Sequence, residues 1–224
     1  LLSGAVSNAL NMPSVSAEDA PKLRPYMKLA AQMGAFAGQI TQEGITAIGI
    51  EYEGDVTELN VKPLTNMILM GLLRHAMDSV NMVNAPVIAK DRGITISETK
   101  SSAGGNYQTL VRVKVTCGDK VLALSGTLFS GKPRVVGIDH VHLEAELTPH
   151  MLFVRNQDKP GFIGRLGTTL GEAKINIANF MLGRSQQGAE AICLVSVDGA
   201  IPSAVADAVK ALPGVVSAHA LKFD

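Results

Sequence analysis

From Leu23 to Ile40 apolar side chains return every three or four positions (Leu23, Met27, Ala30, Met33 or Gly34, Ala37, Ile40), a helical stripe of about five turns. Ala30, Ala31, Gly34, Ala35, Ala37 and Gly38 let that helix approach a neighbour closely. Ser16, with Asp19 three positions on and Pro21 just inside, reads as its start, with Asp where a capping box prefers Glu or Gln. At Ile45 the period falls to two: Ile45, Ala47, Ile50 and Tyr52 alternate with Thr46, Glu51 and Glu53 in a strand that stops at Gly54-Asp55. Helical spacing returns over Pro63 to Met77 and, more briefly, over Ala85 to Asp91, closed by Gly93. Three strands follow, Ile94 to Glu98, Leu110 to Cys117 and Val121 to Leu128. The loop Ser101 to Asn106 separates the first two and a tight Gly118-Asp119 turn the last two. A second hairpin, Val135 to Ile138 with Val141 to Leu147 around Asp139-His140, completes an α+β unit with a largely antiparallel sheet.

Thr148-Pro149 marks a boundary, beyond which the periods read strand, helix, strand, strand, helix, strand. The apolar run Met151 to Val154 leads through a polar turn into a helix opening at Pro160-Gly161, then to a strand after Asn176 and another over Ala191 to Val197. A helix from Ile201-Pro202 to Leu212 ends at Pro213-Gly214 before a last strand, Val215 to Phe223. Gly164, Gly167 and Gly171 fall at helix-packing spacing inside the first of these helices. Two half-buried strands flanking that helix are expected to bring Asn156, Asp158 and Asn176 to one edge of a sheet, where donors and acceptors together suit a zwitterion. The plainer reading makes Asp158 an N-cap and the corner a structural turn.

Composition narrows the chemistry by exclusion. Lys plus Arg and Asp plus Glu balance at 20 each, and there is no Trp, so neither a basic field nor stacking platforms argue for nucleic acid. No apolar run approaches the roughly 20 residues of a spanning helix, so no membrane partner is expected. Cys117 and Cys193 sit singly in apolar strands and read as buried reduced thiols of a reducing, cytoplasmic compartment. Leu1-Leu2-Ser3-Gly4-Ala5-Val6 lacks a Met, a basic n-region and a long apolar run; it reads as cut from something longer, not as a signal peptide. There is no dinucleotide fingerprint, phosphate loop or nucleophile elbow. His140, His142 and Glu144 alternate, so a metal is conceivable there, but zinc sites usually want three or four ligands and the sequence places no further partner beside these. Arg134, His140 and His142, with Arg112, Lys114 and Lys132, form either a local anion site or a solvated strand edge.

Several runs, in this order, carry a resemblance: Asn11-Met12-Pro13-Ser14, Tyr52-Glu53-Gly54-Asp55 with Lys62-Pro63-Leu64, Val83-Asn84-Ala85-Pro86, Ser125-Gly126-Thr127-Leu128-Phe129 and Asn176-Ile177-Ala178. Together they resemble the C-terminal half of the long-form D-3-phosphoglycerate dehydrogenase family over essentially the whole chain. The resemblance implies three parts: an arm and connecting helix over 1–41, an intervening domain over 42–148, and an ACT domain of βαββαβ, ferredoxin-like order over 149–224. It implies a regulatory fragment whose parent oxidises 3-phosphoglycerate with NAD in serine biosynthesis, the NAD-binding and catalytic residues belonging to another half. It implies that ACT domains pair with L-serine between them as feedback effector, held by Asn156, Asp158, Pro160, Gly161 and Phe162 of one subunit and Asn176 and Ile177 of the other. Helix-start N–H groups would take the carboxylate and Asp158 the ammonium. It further matches Arg134 and His142, beside His140, to a basic cluster for phosphorylated substrate. The alternatives are a constitutive oligomerisation module without effector, and the regulatory part of an L-serine dehydratase. Against the latter, two isolated cysteines do not make an iron-sulfur site in this chain.

Overall fold

The structure is a computed structural model that describes residues 19–41, 44–77, 79–102 and 105–223. The arm over 1–15, the Ser16 capping position and residues 103 and 104 of the expected loop lie outside these. Two compact units are present, Leu1–Val135 and Val136–Asp224.

In the first unit the helical stripe is α1 (Ala20–Ile40), with Pro21 in its first turn and Asp19 at the N-cap making no side-chain cap hydrogen bond. The chain continues through β1 (Ile45–Gly54), α2 (Lys62–Leu73), α3 (Ala85–Asp91), β2 (Thr95–Ser101), β3 (Thr109–Cys117) and β4 (Lys120–Phe129). The helix expected to reach Met77 stops at Leu73, because the chain tightens into the Ala76 N–H to Leu73 C=O bond and Arg74 Nε donates to the Val80 carbonyl. Strand order here runs β2-β1-β3-β4. β1 with β3 and β3 with β4 are antiparallel, as expected, but β2 lies parallel to β1. A crossover through α2 and α3 joins β1 to β2, and such a crossover is what a parallel pair requires.

Small residues do set the α1–α2 packing. A side chain at Gly34 would collide with the Ile68 carbonyl, and one at Gly71 would lie 2.6 Å from the Ala31 carbonyl oxygen. Tyr52, fully buried, bonds Thr65 at 2.9 Å, and Thr65 donates to Glu98 at 2.8 Å, tying α2 to β1 and β2. Burial and the Glu98 charge hold the Tyr52 phenol protonated, well above its ordinary range. Arg112 and Lys114 do not form an anion pocket: across the β1–β3 pair they meet Glu51 and Glu53, with Lys114 at 2.8 Å from Glu51.

β5 (Lys132–Ile138) carries the chain into the second unit, which holds β6 (Val141–Ala145), β7 (His150–Gln157), α4 (Phe162–Glu172), β8 (Ile177–Arg184), β9 (Glu190–Val197), α5 (Ser203–Lys210) and β10 (Val215–Lys222). From β7 onward the order is βαββαβ, and the sheet runs β10-β7-β9-β8 with the described pairs antiparallel, a ferredoxin-like arrangement. Leu152, Val154, Phe162, Leu166, Leu170, Cys193, Val195, Val197 and Val209 form its core. The four-residue spacing of Phe162, Leu166 and Leu170 places one face of α4 on the sheet. Both cysteines are buried and form no disulfide, and burial pushes the Cys193 thiol up to about 12. Gly164, Gly167 and Gly171 do not pack a helix as their spacing suggested: a side chain at any of them would meet nothing within 4 Å. The glycine needed for close approach is Gly183, where β6 crosses β8 and a Cβ would stand 2.5 Å from the His142 carbonyl oxygen.

Candidate functional site

Register decides where the predicted corner sits. β9 aligns Ala191 with both Asn156 of β7 and Arg184 of β8, so Asn156, Ala191 and Arg184 form one row at one end of the sheet. Ile177 pairs with Val197 at the opposite end, and Asn176 lies just outside it. Seven residue steps of β8 separate the two rows, about 23 Å at strand rise. The expectation that Asn156, Asp158 and Asn176 share one sheet edge within a chain is therefore wrong. Antiparallel pairing alternates which end of each strand is at hand, and helix length and register cannot be read from residue order.

At the first end, Asp158 Oδ2 accepts from Arg184 Nη1 at 2.9 Å and from the Gly188 N–H at 3.2 Å, while the Asp158 N–H donates to the Ala189 carbonyl at 2.8 Å. The Arg184 bond, then the Gly188 N–H, hold the Asp158 carboxyl below its ordinary range. Asp158 thus ties the β7–α4 turn to the β8–β9 connection. It does not cap α4: the N-cap is Gly161, left-handed at φ 87°, with no side-chain cap hydrogen bond. Pro160 and Gly161 form an exposed turn, and the helix opens at buried Phe162. Asn156 is only 2 % exposed; its Nδ2 donates to the Gln157 carbonyl at 2.8 Å and its Oδ1 has no partner. At the other end, exposed Asn176 donates to Asp198 Oδ2 at 2.7 Å, which fixes the start of β8 to the end of β9; Ile177 is half-buried.

Of the candidate anion site, Arg134 lies in the first unit and donates to the Pro133 carbonyl at 3.0 Å, whereas His140 and His142 lie in the second and are exposed. His140 Nε2 stands 3.9 Å from Glu190. Among the described residues no three His, Cys, Asp or Glu side chains come together as a metal set, and no helix is long and apolar enough to cross a membrane. A cleft of about 410 Å³ lies in the first unit, lined by Leu72, His75, Arg92 and Ile94 among others; it borders none of these residues.

Sequence reasoning passed over three arginines. Arg184 neutralises Asp158. Arg155, next to Asn156, pairs with Glu190 at 2.8 Å and with Asp139, and lies 5.4 Å from the Phe153 ring centre. Arg165 sits on α4 with a buried, unpartnered Nε. The available signal for the last was the absence of any acid in the first turn of α4.

His219 of β10, half-buried beside Phe153, is held below its ordinary 6.5 by burial, then by Lys210 and Arg155. As pH falls below 6.5 the unfolded chain takes a proton before the folded one does, so the folded state loses stability. The unfolding midpoint should fall between about pH 7 and pH 5.5, and His219→Gln should flatten part of that slope. An unchanged slope in thermal melts across that range would refute the assignment to His219.

Two family models match: one described as D-3-phosphoglycerate dehydrogenase intervening domain over residues 22–139, and one described as ACT domain over residues 150–214. The chain is 33% identical over 214 residues to a D-3-phosphoglycerate dehydrogenase of Bacillus subtilis, which covers 95% of this chain and 41% of that protein. It is 32% identical over 226 residues to one of Synechocystis, covering 100% of this chain and 41% of that protein. With one of Methanocaldococcus jannaschii it shares 29% over 209 residues, covering 93% of this chain and 40% of that protein. The chain thus spans about two fifths of the length of these relatives.

Proposed function

The chain belongs to the D-3-phosphoglycerate dehydrogenase family, with that family's intervening domain followed by an ACT domain, and on that premise we propose that it is a regulatory and oligomerising part that binds L-serine between two ACT domains. In this proposal a catalytic half of the same cytoplasmic polypeptide holds NAD and oxidises 3-phosphoglycerate. The parts are the arm and helix over 1–41, the intervening domain over 42–148 and the ACT domain over 149–224.

The observation that carries the reading is the separation of Asn176 from Asn156 and Asp158 along β8, an edge strand of its sheet. A second copy adding its own β8 antiparallel to that edge would bring its Asn176 end against the Asn156 and Asp158 end, twice per dimer, as two-fold symmetry requires. Serine bridging the two chains favours whichever arrangement builds that interface, and only by its differential affinity for it. One observation favours a constitutive oligomerisation module instead: Asp158 is engaged from within the chain by Arg184 and Gly188.

Complementation separates the two. Calorimetry should give serine binding with the unaltered chain and little with Asp158→Ala or Asn176→Ala. After mixing the two variants and exchanging subunits, roughly one quarter of the sites should return, because each heterodimer regenerates one intact site. No serine binding by the unaltered chain supports the constitutive module; binding with no recovery on mixing places the site within one chain.

A further inference from the structure

The ends of three helices meet around the cleft of about 410 Å³ in the first unit. The last turn of α1 contributes Gly38, the end of α2 Leu72 and Leu73 with His75 just beyond, and the turn from α3 to β2 Arg92 and Ile94. Leu72, Leu73 and Ile94 are buried and form its floor, whereas His75 and Arg92 are exposed and stand at its rim. The volume is that of a small-molecule site.

Backbone geometry fixes both rim residues. The Gly93 N–H donates to the Lys90 carbonyl at 2.9 Å and the Ile94 N–H to the Ala89 carbonyl at 3.0 Å, with Gly93 left-handed at φ 71°. This Schellman end holds Arg92 at the rim and turns Ile94 inward. His75 lies against α1: a Cβ on Gly38 would stand 3.1 Å from its Cδ2 and 2.5 Å from the Leu72 carbonyl oxygen. Glycine there is what lets α2 and the imidazole close on that wall.

Charge at the rim is one-sided. No acid is among the described residues that line the cleft. Among the described residues neither the Arg92 guanidinium nor the His75 imidazole has a side-chain partner. Partial burial holds His75 below its ordinary 6.5, so near neutral pH Arg92 carries the fixed charge of the rim and His75 adds an uncharged N–H. The C-terminal end of α3 accounts for a cation at Arg92, but not for an apolar floor beneath it.

We propose that this cleft binds a small organic monocarboxylate, with its apolar body on Leu72, Leu73 and Ile94 and its carboxylate on Arg92. A guanidinium meets a carboxylate through two parallel N–H bonds. An amine would be repelled by Arg92, and inorganic phosphate would leave the floor unfilled while bringing a second charge that one arginine does not match. The site is independent of the serine reading, since every residue that lines it belongs to the first unit.

The test is an NMR titration of the full chain, methyl-labelled at leucine and isoleucine, with octanoate below its micellar range. Octanamide, octylamine, acetate and inorganic phosphate are the comparison ligands. Octanoate should saturate a single site per chain and move the methyls of Leu72, Leu73 and Ile94 together. Octanamide should bind about fivefold or more weakly, octylamine more weakly still, and acetate and phosphate should not compete. Arg92→Gln should weaken octanoate about threefold to tenfold, and Arg92→Lys less, since lysine keeps the charge without the fork. Both variants should melt within about 2 °C of the unaltered chain, because the side chain is exposed. Octanamide or octylamine bound as well as octanoate, or octanoate affinity unchanged in Arg92→Gln, overturns the carboxylate assignment. Shifts that fail to saturate or that spread over other methyls overturn the site itself, and phosphate displacing octanoate overturns the ligand class.

Discussion

Gly34→Ala should destabilise the first unit by about 2 kcal/mol or more, although alanine is the better helix former by about 1 kcal/mol. The added methyl would collide with the Ile68 carbonyl, and a backbone oxygen inside α2 cannot turn aside as a flexible side chain could. α1 and α2 must separate, and the buried faces that include Met33, Ala37, Ile68 and Leu72 separate with them. The control is Gly167→Ala in α4, where nothing lies within 4 Å and the propensity gain of about 0.5–1 kcal/mol should appear unopposed. Denaturant titrations of both variants should therefore move in opposite directions. If Gly34→Ala is neutral, the two helices are not in backbone contact as described.

That pair also marks where the sequence stops being informative. Gly34 and Gly38 on α1, and Gly164, Gly167 and Gly171 on α4, have the same kind of spacing, and spacing alone assigned both sets to helix packing. Only the neighbours distinguish them, and neighbours come from tertiary structure. The elements were legible because periods of 3.6 and 2 are strong here: the order of strands and helices from β7 to β10 follows from apolar positions such as Phe162, Leu166 and Leu170. Register was not legible. The parallel β1–β2 pair and the placement of Asn176 and Asn156 at opposite ends of their sheet both depend on which strand lies beside which. Nor could the engagement of Asp158 by Arg184 be seen, since 26 residues separate them in the chain.

Asn156→Val should make the second unit more stable while abolishing ligand binding. Asn156 is buried in a strand flanked by β9 and β10, yet its Oδ1 has no partner, and an unsatisfied buried acceptor costs about 1–3 kcal/mol. Its side-chain bond, from Nδ2 to the Gln157 carbonyl, ends on an exposed residue whose carbonyl can take water in its place. Valine suits a strand and shares the face of Leu152 and Val154, so packing should gain where polarity is lost. The expected result is a gain of about 1 kcal/mol or more in denaturant unfolding, with the serine heat gone. A loss of stability would mean that the amide oxygen is bonded in solution, and the corner would then be a structural turn and not a binding site. A stability gain with serine binding intact would free Asn156 of any role in holding the ligand. On the proposed serine reading a ligand that needs the amide explains a polar group where an apolar one would fold better, and a trade between the two measurements would be the signature of that need.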